Sequence, residues 1–413
     1  MENPPIPIKN GYQHLWSVPV IVAALGYFVD IYDLLLFGIV RVPSLKALGL
    51  SETEVSSIGT SILNYQMTGL LIGGIFWGIL GDKKGRLSVL FGSIVTYSLA
   101  NIACGFVMDP TVYKWLRLLA GIGLAGELGA GITLVSEILP KQIRAIGTSL
   151  VAAIGLLGAV VGYFTVQLFD WRIAYFVGGG MGIVLLLLRM NVFESAVFEK
   201  LKSNNQIKKG HFGMLFNSKK RFITYIKCIG IGVPTWFVIG IMATFSNEIG
   251  AEMGLQIQPG LSILWAYVGL SIGDLASGLI SQFLKSRKKA VLYMMLFTLA
   301  INTLLIFITV ASDILFYLLM LLLGLGIGYW AMFVTIGAEQ FGTNIRATAA
   351  TTIPNMVRGT VVLMTMFFSF LKNNTFSILE SCLILMIICF FIGIFSILTI
   401  PETHDKDLDF IDE

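Results

Sequence analysis

The sequence predicts an all-α membrane protein of twelve transmembrane helices arranged as two six-helix bundles, and three observations predict it. The chain is 56% hydrophobic and 13% charged, with a mean hydropathy of +0.84, whereas soluble domains carry roughly 25% charged residues. Size alone does not demand so much apolar surface, because a chain of 413 residues buries a large core in water. The second observation is a series of apolar runs of bilayer-spanning length. The third is an internal repeat.

Runs long enough to cross hydrocarbon occur near 16–40, 58–80, 88–108, 113–137, 144–168 and 173–190. After a polar interval they resume near 221–247, 260–284, 290–310, 313–338, 347–370 and 375–399. Each is about 20 residues or slightly more, the length of a tilted spanning helix. The abundant Gly, Phe and Met fit helices packed through small residues in lipid. The predicted organisation is a first bundle over 1–190, a cytoplasmic linker over 191–220, a second bundle over 221–400 and a cytoplasmic tail over 401–413.

Orientation follows from the basic residues. Lys83, Lys84, Arg86, Lys141, Arg144, Lys285, Arg287, Lys288, Lys289 and Arg346 fall in one set of turns, and the linker adds a further cluster from Lys200 to Arg221. The alternate turns hold little beyond Lys46, Lys114, Arg172 and Lys372. The positive-inside rule places both termini and the linker in the cytoplasm. Abundant Ile, Asn and Lys point to a bacterial source, hence a multi-pass inner-membrane protein.

Two segments about 200 residues apart echo each other: Glu137-x6-Arg144-Ala145 and Glu339-x6-Arg346-Ala347. Gly74-x3-Gly78-x3-Asp82 is echoed by Asp274-x3-Gly278-x3-Gln282, and GIGLAG from Gly121 by GLGIGY from Gly324. Two repeats of six spans in the same orientation suit a carrier that alternates access by rocking one bundle against the other.

Several function classes drop out. The net charge of +4 is distributed over turns rather than along one stripe, so no nucleic-acid partner is expected. Cys104, Cys228, Cys382 and Cys389 lie in or at the ends of apolar segments without a CxxC, which gives neither a disulfide framework nor a zinc site. His14, His211 and His404 are isolated, and there is no HExxH, GxSxG or Walker loop. The chain is therefore expected to be no enzyme, to need no cofactor or metal, and to draw on an ion gradient rather than ATP. The N-terminus lacks the pattern of a cleaved signal peptide, so the first span is expected to be retained. The expected partners are the lipid bilayer and a small-molecule substrate, with the chain acting as a monomer.

Charges inside the spans carry the functional reading. Asp30 and Asp33 fall mid-span in the first run, three residues apart and so on one helix face. Arg117 and Glu127 lie in the fourth, Asp274 in the eighth and Arg358 in the eleventh. A charge at the bilayer centre costs about 2.5–3.5 kcal/mol even on insertion scales, so these groups face a bundle interior or an aqueous cavity, paired or titrating. Two close carboxylates disfavour double ionisation, while a guanidinium favours it. Asp33 is the expected proton site, Arg117 its charge partner and Asp30 a tuning group, against the alternative of a static structural ion pair. Arg358 lies near Pro354, which opens the helix locally, and a guanidinium there suits an anionic substrate group. The alternative is a pair with Asp274 or Glu127. Glu127 is open to three roles: proton carrier, contact for a cationic part of the substrate, or compensation of Arg117.

Further cavity candidates are Tyr27, Asn64, Tyr65, Gln66, Gln167, Trp236, Tyr329, Trp330 and Asn355; each is equally open to a packing or interhelical hydrogen-bonding role. Asp82, Arg86, Glu137, Arg144, Glu339 and Arg346 sit at cytoplasmic ends and are expected to be latches between the bundles that break on rocking.

The loop Gly81-Asp82-Lys83-Lys84-Gly85-Arg86, the paired Glu-x6-Arg segments and Pro401-Glu402-Thr403 resemble signatures of the major facilitator superfamily. The resemblance runs from about Gly26 to Thr403. Asp30-Ile31-Tyr32-Asp33 resembles the first-span motif of aromatic-acid:proton symporters, with Ile31 in place of the usual glycine. Arg117-x3-Gly121-x-Gly123-x2-Gly126-Glu127-x-Gly129 resembles the fourth span of metabolite:proton symporters. The resemblance implies proton-coupled symport by alternating access, with Asp33 and Arg117 in the coupling positions and Arg358 at the substrate. The leading expectation is a small organic anion; the alternative is a neutral or zwitterionic metabolite such as an amino acid, osmolyte, nucleoside or sugar.

Overall fold

A computed structural model describes residues 16–84, 86–129, 131, 135, 139, 141–190, 212–308, 312–342 and 345–404, except for the side chains of 82, 86, 141–146, 148, 149 and 347. Most of the 191–220 linker, the extreme termini, Glu137 and the side chains of Asp82, Arg86 and Arg144 lie outside the described residues.

Eleven described helices are long and apolar enough to cross a bilayer. The remaining crossing, span four, is described over Pro110–Leu124 and resumes as helix at 127–129. Spans one to three are Val18–Ala47, Glu52–Lys84 and Arg86–Gly105, and spans five and six are Lys141–Leu168 and Trp171–Arg189. In the second half, span seven is Lys219–Phe237 continued by a π-helical Val238–Ala243, and a short helix Ser246–Glu252 follows it. Spans eight and nine are Pro259–Leu284 and Arg287–Phe307; span ten is Asp313–Ile327 plus Trp330–Glu339; spans eleven and twelve are Arg346–Asn374 and Ile378–Thr399.

Local chemistry sets the ends. Asp109 accepts from the Thr111 and Val112 amides ahead of span four, with Pro110 in the first turn. Ser286 and Ser312 cap spans nine and ten, and Ser377 with Glu380 forms a capping box at span twelve. Each satisfies amide groups that a helix start leaves open. The last turn before span eight needs the left-handed backbone of Gly254, at φ 77°.

Three spans differ from the continuous runs expected for them. Span seven ends as an α-helix at Phe237 and passes through the π-turn before Thr244; π-turns concentrate at functional sites. Span ten breaks between Ile327 and Trp330. Span four breaks at the repeat-related place, turning at 125–126. Glycines bring the partner helices close there: Gly69 and Gly73 face the backbone of span four, and Gly269 and Gly273 face that of span ten. Backbone groups freed at membrane depth require protein partners. The Ala125 carbonyl receives Asn355 Nδ2 at 2.8 Å, and the Ala331 amide donates to Asp274 Oδ1 at 3.0 Å.

Packing follows the repeat for spans two and four and their counterparts eight and ten, whereas span seven, the counterpart of span one, lies most against span twelve. Within the first half, span one lies against span five, span two against four and span three against six; within the second, span seven lies against twelve and span eight against ten. The halves meet where span two packs along span eleven and span five along span eight.

Candidate functional site

Span one supplies the centre of the site. Asp30 and Asp33 are fully buried on its inner face. Arg117 donates to Asp33 Oδ1 at 3.1 Å and to the Asp33 carbonyl at 3.1 Å. It also reaches Asn101 Oδ1 at 2.8 Å and Gln66 Oε1 at 3.3 Å, and its guanidinium carbon lies 5.5 Å from the Tyr175 ring centroid. Five spans of the first half thus converge on one ion pair. Asp33 Oδ2 has no hydrogen-bond partner.

Asp30 faces the other half. Its Oδ2 lies 3.7 Å from an Arg358 amino nitrogen, an ion pair beyond hydrogen-bond reach, and neither Asp30 oxygen has a hydrogen-bond partner. Arg358 donates to Asn355 Oδ1 at 3.4 Å, and its guanidinium carbon lies 6.0 Å from the ring centroids of both Trp236 and Trp330. Beside this couple is a narrow gap with room for about one water molecule, lined by Tyr27, Ile31, Leu156, Thr235, Trp236, Ile239, Tyr267, Leu270, Trp330 and Arg358. Tyr27 Oη, Thr235 Oγ1 and Arg358 Nε are buried there without hydrogen-bond partners. Buried polar atoms are normally paired, so these three stand open where the halves meet, between the indoles of Trp236 and Trp330.

The remaining candidates divide. Arg358, Trp236 and Trp330 line the cavity. Gln66 belongs to the Arg117 cluster and also donates to the Leu34 carbonyl at 2.8 Å. Asn355 and Asp274 hold the two helix breaks, while Tyr329 Oη donates to the Ile231 carbonyl at 3.2 Å. Asn64 Oδ1 accepts from Thr365 at 2.5 Å, bridging the halves. Tyr65 packs edge-on against exposed Trp115, and Gln167 is exposed at the end of span five, both away from the recess. Glu127 receives both terminal nitrogens of Arg189 in a buried bidentate pair and accepts from Ser93 at 3.4 Å. The Glu127–Arg189 contact occupies the space beside Gly26, one turn from Asp30. Of the expected latches, Glu339 pairs with Arg287, and Arg346 Nε donates to the Phe341 carbonyl at 3.2 Å; the first-half set lies outside the described side chains.

Sequence reading missed Arg189, Thr235, Tyr267 and Arg41. Arg189 and Arg41 are basic residues close to span ends that nonetheless bury completely. Arg41 had a usable signal, because it stands on the side that the positive-inside rule leaves poor in basic residues. Among the described residues, no group of three or more His, Cys, Asp and Glu could hold a metal ion.

Two helical halves enclosing a central polar recess, with ion pairs at membrane depth and broken helices beside it, define a multi-pass carrier of the alternating-access kind. The sequence pattern of the Major Facilitator Superfamily matches residues 23–360, and the chain belongs to that superfamily. It is a membrane transporter of small molecules, not an enzyme. It is 33% identical over 202 residues to the niacin transporter NiaP of Acinetobacter baylyi, covering 47% of this chain and 43% of that protein's length. It is 24% identical to the benzoate transport protein of the same species over 81% of this chain and 78% of that one. A crystal structure of a D-xylose–proton symporter superposes with a TM-score of 0.70 at 18% identity, covering 95% of this chain and 99% of that one; it shares the fold.

Proposed function

We propose that the chain takes up a small organic metabolite by proton-coupled symport, as a monomer in a bacterial inner membrane with both termini cytoplasmic, and that a neutral or zwitterionic solute suits the Asp30–Arg358 couple best once the halves open around it. The observation that carries this reading is the Asp30–Arg358 couple, an acceptor and a donor side by side across the two halves, 3.7 Å apart. A solute that gives a hydrogen to Asp30 and takes one from Arg358 slots between them without changing the net charge of a desolvated site. Tyr27 and Thr235 offer it further hydroxyls.

The proton goes to Asp33. Its free Oδ2 can take a proton without losing a bond. Arg117 then keeps neutral acceptors in Asn101, Gln66 and the Asp33 carbonyl, so its charge is not stranded. Arg358 has no such reserve beyond Asn355, which ties Asp30 to substrate rather than to the free proton.

A second reading, symport of a small organic anion, is favoured by the unpartnered Arg358 Nε and by relatives named for niacin, benzoate and gentisate. A carboxylate would then displace Asp30 from the guanidinium. A thermal-shift screen of amino acids, nucleosides, sugars and carboxylates at two pH values separates the two. Stabilisation by neutral or zwitterionic solutes supports the first; stabilisation by carboxylates alone transfers the site to the second. No stabilisation by any of these classes contradicts both.

A further inference from the structure

At the end of the bundle away from the start of span one, a second group of charges joins the halves. Arg41, fully buried near the end of span one, donates to the Thr244 carbonyl and to Asn247 Oδ1, both at 3.0 Å, and lies 3.6 Å from Glu248. Glu248 in turn holds Lys372 of span eleven at 2.7 Å and accepts from Ser56 of span two at 3.0 Å. Arg41 and Ser56 belong to the first half; Thr244, Asn247, Glu248 and Lys372 belong to the second. We propose that Arg41, Glu248 and Lys372 form a removable charge lock closing this mouth of the central cavity, with Glu248 as the positioning residue that keeps the mouth shut.

Three features make it a lock rather than permanent scaffolding. Glu248 and Lys372 keep 15% of their side-chain exposure, whereas the Asp33–Arg117 pair keeps none. Charges already touching water regain hydration when they part, so separation costs far less than for a dry pair. Arg41 is also imperfectly held: its Nε and one terminal nitrogen make no hydrogen bond, though its guanidinium lies 4.6 Å from the Phe245 ring centroid. Finally, the lock hangs on the irregular part of span seven. Thr235, Trp236 and Ile239 line the cavity, the π-turn Val238–Ala243 follows, and Thr244, Asn247 and Glu248 come next. A swing of this segment away from span one would open a path from the lock to the recess.

The test is side-resolved access to the cavity in the full-length protein, and it needs no substrate, so it stands or falls apart from the transport reading. Ile239→Cys places a reporter thiol on the cavity wall; the four native cysteines are buried. Reconstituted vesicles are treated with a membrane-impermeant maleimide from either face. Glu248→Gln is expected to speed labelling from the face opposite the basic loops about tenfold, and Lys372→Gln by less. Glu248→Asp, which keeps the charge, is expected to stay within about threefold of the parent. Should Glu248→Gln not yield folded protein, Arg41→Gln takes its place with the same expected gain. An unchanged rate, equal acceleration from both faces, or acceleration that persists in Glu248→Asp would overturn the lock.

Discussion

The two acids of span one sit three residues apart and live in different surroundings. Asp33 is held inside the first half, where Arg117 bonds it at 3.1 Å with Asn101 and Gln66 in attendance. Asp30 looks across to the second half and meets Arg358 at 3.7 Å with no hydrogen bond. The first arrangement has stand-in partners for its cation and survives a change of charge state. The second is an unfinished contact between bodies that must part. A carrier needs both, and one helix face delivers them at neighbouring turns.

The largest loss is expected inside the first half. Glu127→Ala leaves Arg189 buried without its partner, and a lost partner in a buried pair costs about 3–5 kcal/mol. A large fall in thermal stability is expected, while Asp33→Asn, whose cation keeps Asn101, Gln66 and the Asp33 carbonyl as acceptors, is expected to change the melting temperature much less. Equal losses in the two variants would erase the distinction between a stranded cation and one with stand-in partners. Arg358→Lys is expected to weaken substrate binding by about 10–100-fold, since a point charge replaces a planar fork, with stability near that of the parent; equilibrium binding on purified protein measures it. Gly26→Ala directs a methyl group into the Glu127–Arg189 contact and is expected to cost about 1–3 kcal/mol, as overpacking does, read as a lowered melting temperature.

The smallest effect concerns the outer lock and its response to acid. Burial pushes Glu248 upward, but the Lys372 ammonium, the Arg41 guanidinium and hydrogen bonds from Lys372 and Ser56 hold it below its ordinary value of 4.5. Its neighbours on the same short helix and on span twelve, Glu252 and Cys382, bring no further cation. A carboxylate held low favours the closed mouth fully above its ordinary value and loses that contribution only as pH falls through the lowered one. Closure is therefore expected to persist down through pH 4.5 and to loosen only below it. Acrylamide quenching of Trp236 and Trp330, in a variant retaining only those two tryptophans, follows this; opening at mildly acidic pH would contradict it.

Much of this was legible in the sequence, for physical reasons. Lipid forces long apolar runs, so the spans announce themselves. A charge within such a run is costly enough to stand out, which is why Asp30, Asp33, Arg117 and Arg358 could be singled out and why the structure finds them in two buried ion pairs. The breaks in spans four and ten were hidden because their backbone groups are satisfied from other helices, by Asn355 and Asp274, and hydropathy does not register partners 230 and 57 residues away. Thr235 and Tyr267 carry no charge and looked like any other helix residue. Arg189 sat where interfacial cations are ordinary, and Arg41 offered only its place on the side poor in basic residues; the fold shows both turned inward.

The most direct measurement of the central claim is uptake of the best thermal-shift ligand into proteoliposomes bearing an imposed pH gradient, for the parent and for Asp33→Asn. The variant is expected to lose gradient-driven accumulation while still exchanging labelled for unlabelled substrate across the membrane. Accumulation undiminished in Asp33→Asn would contradict it.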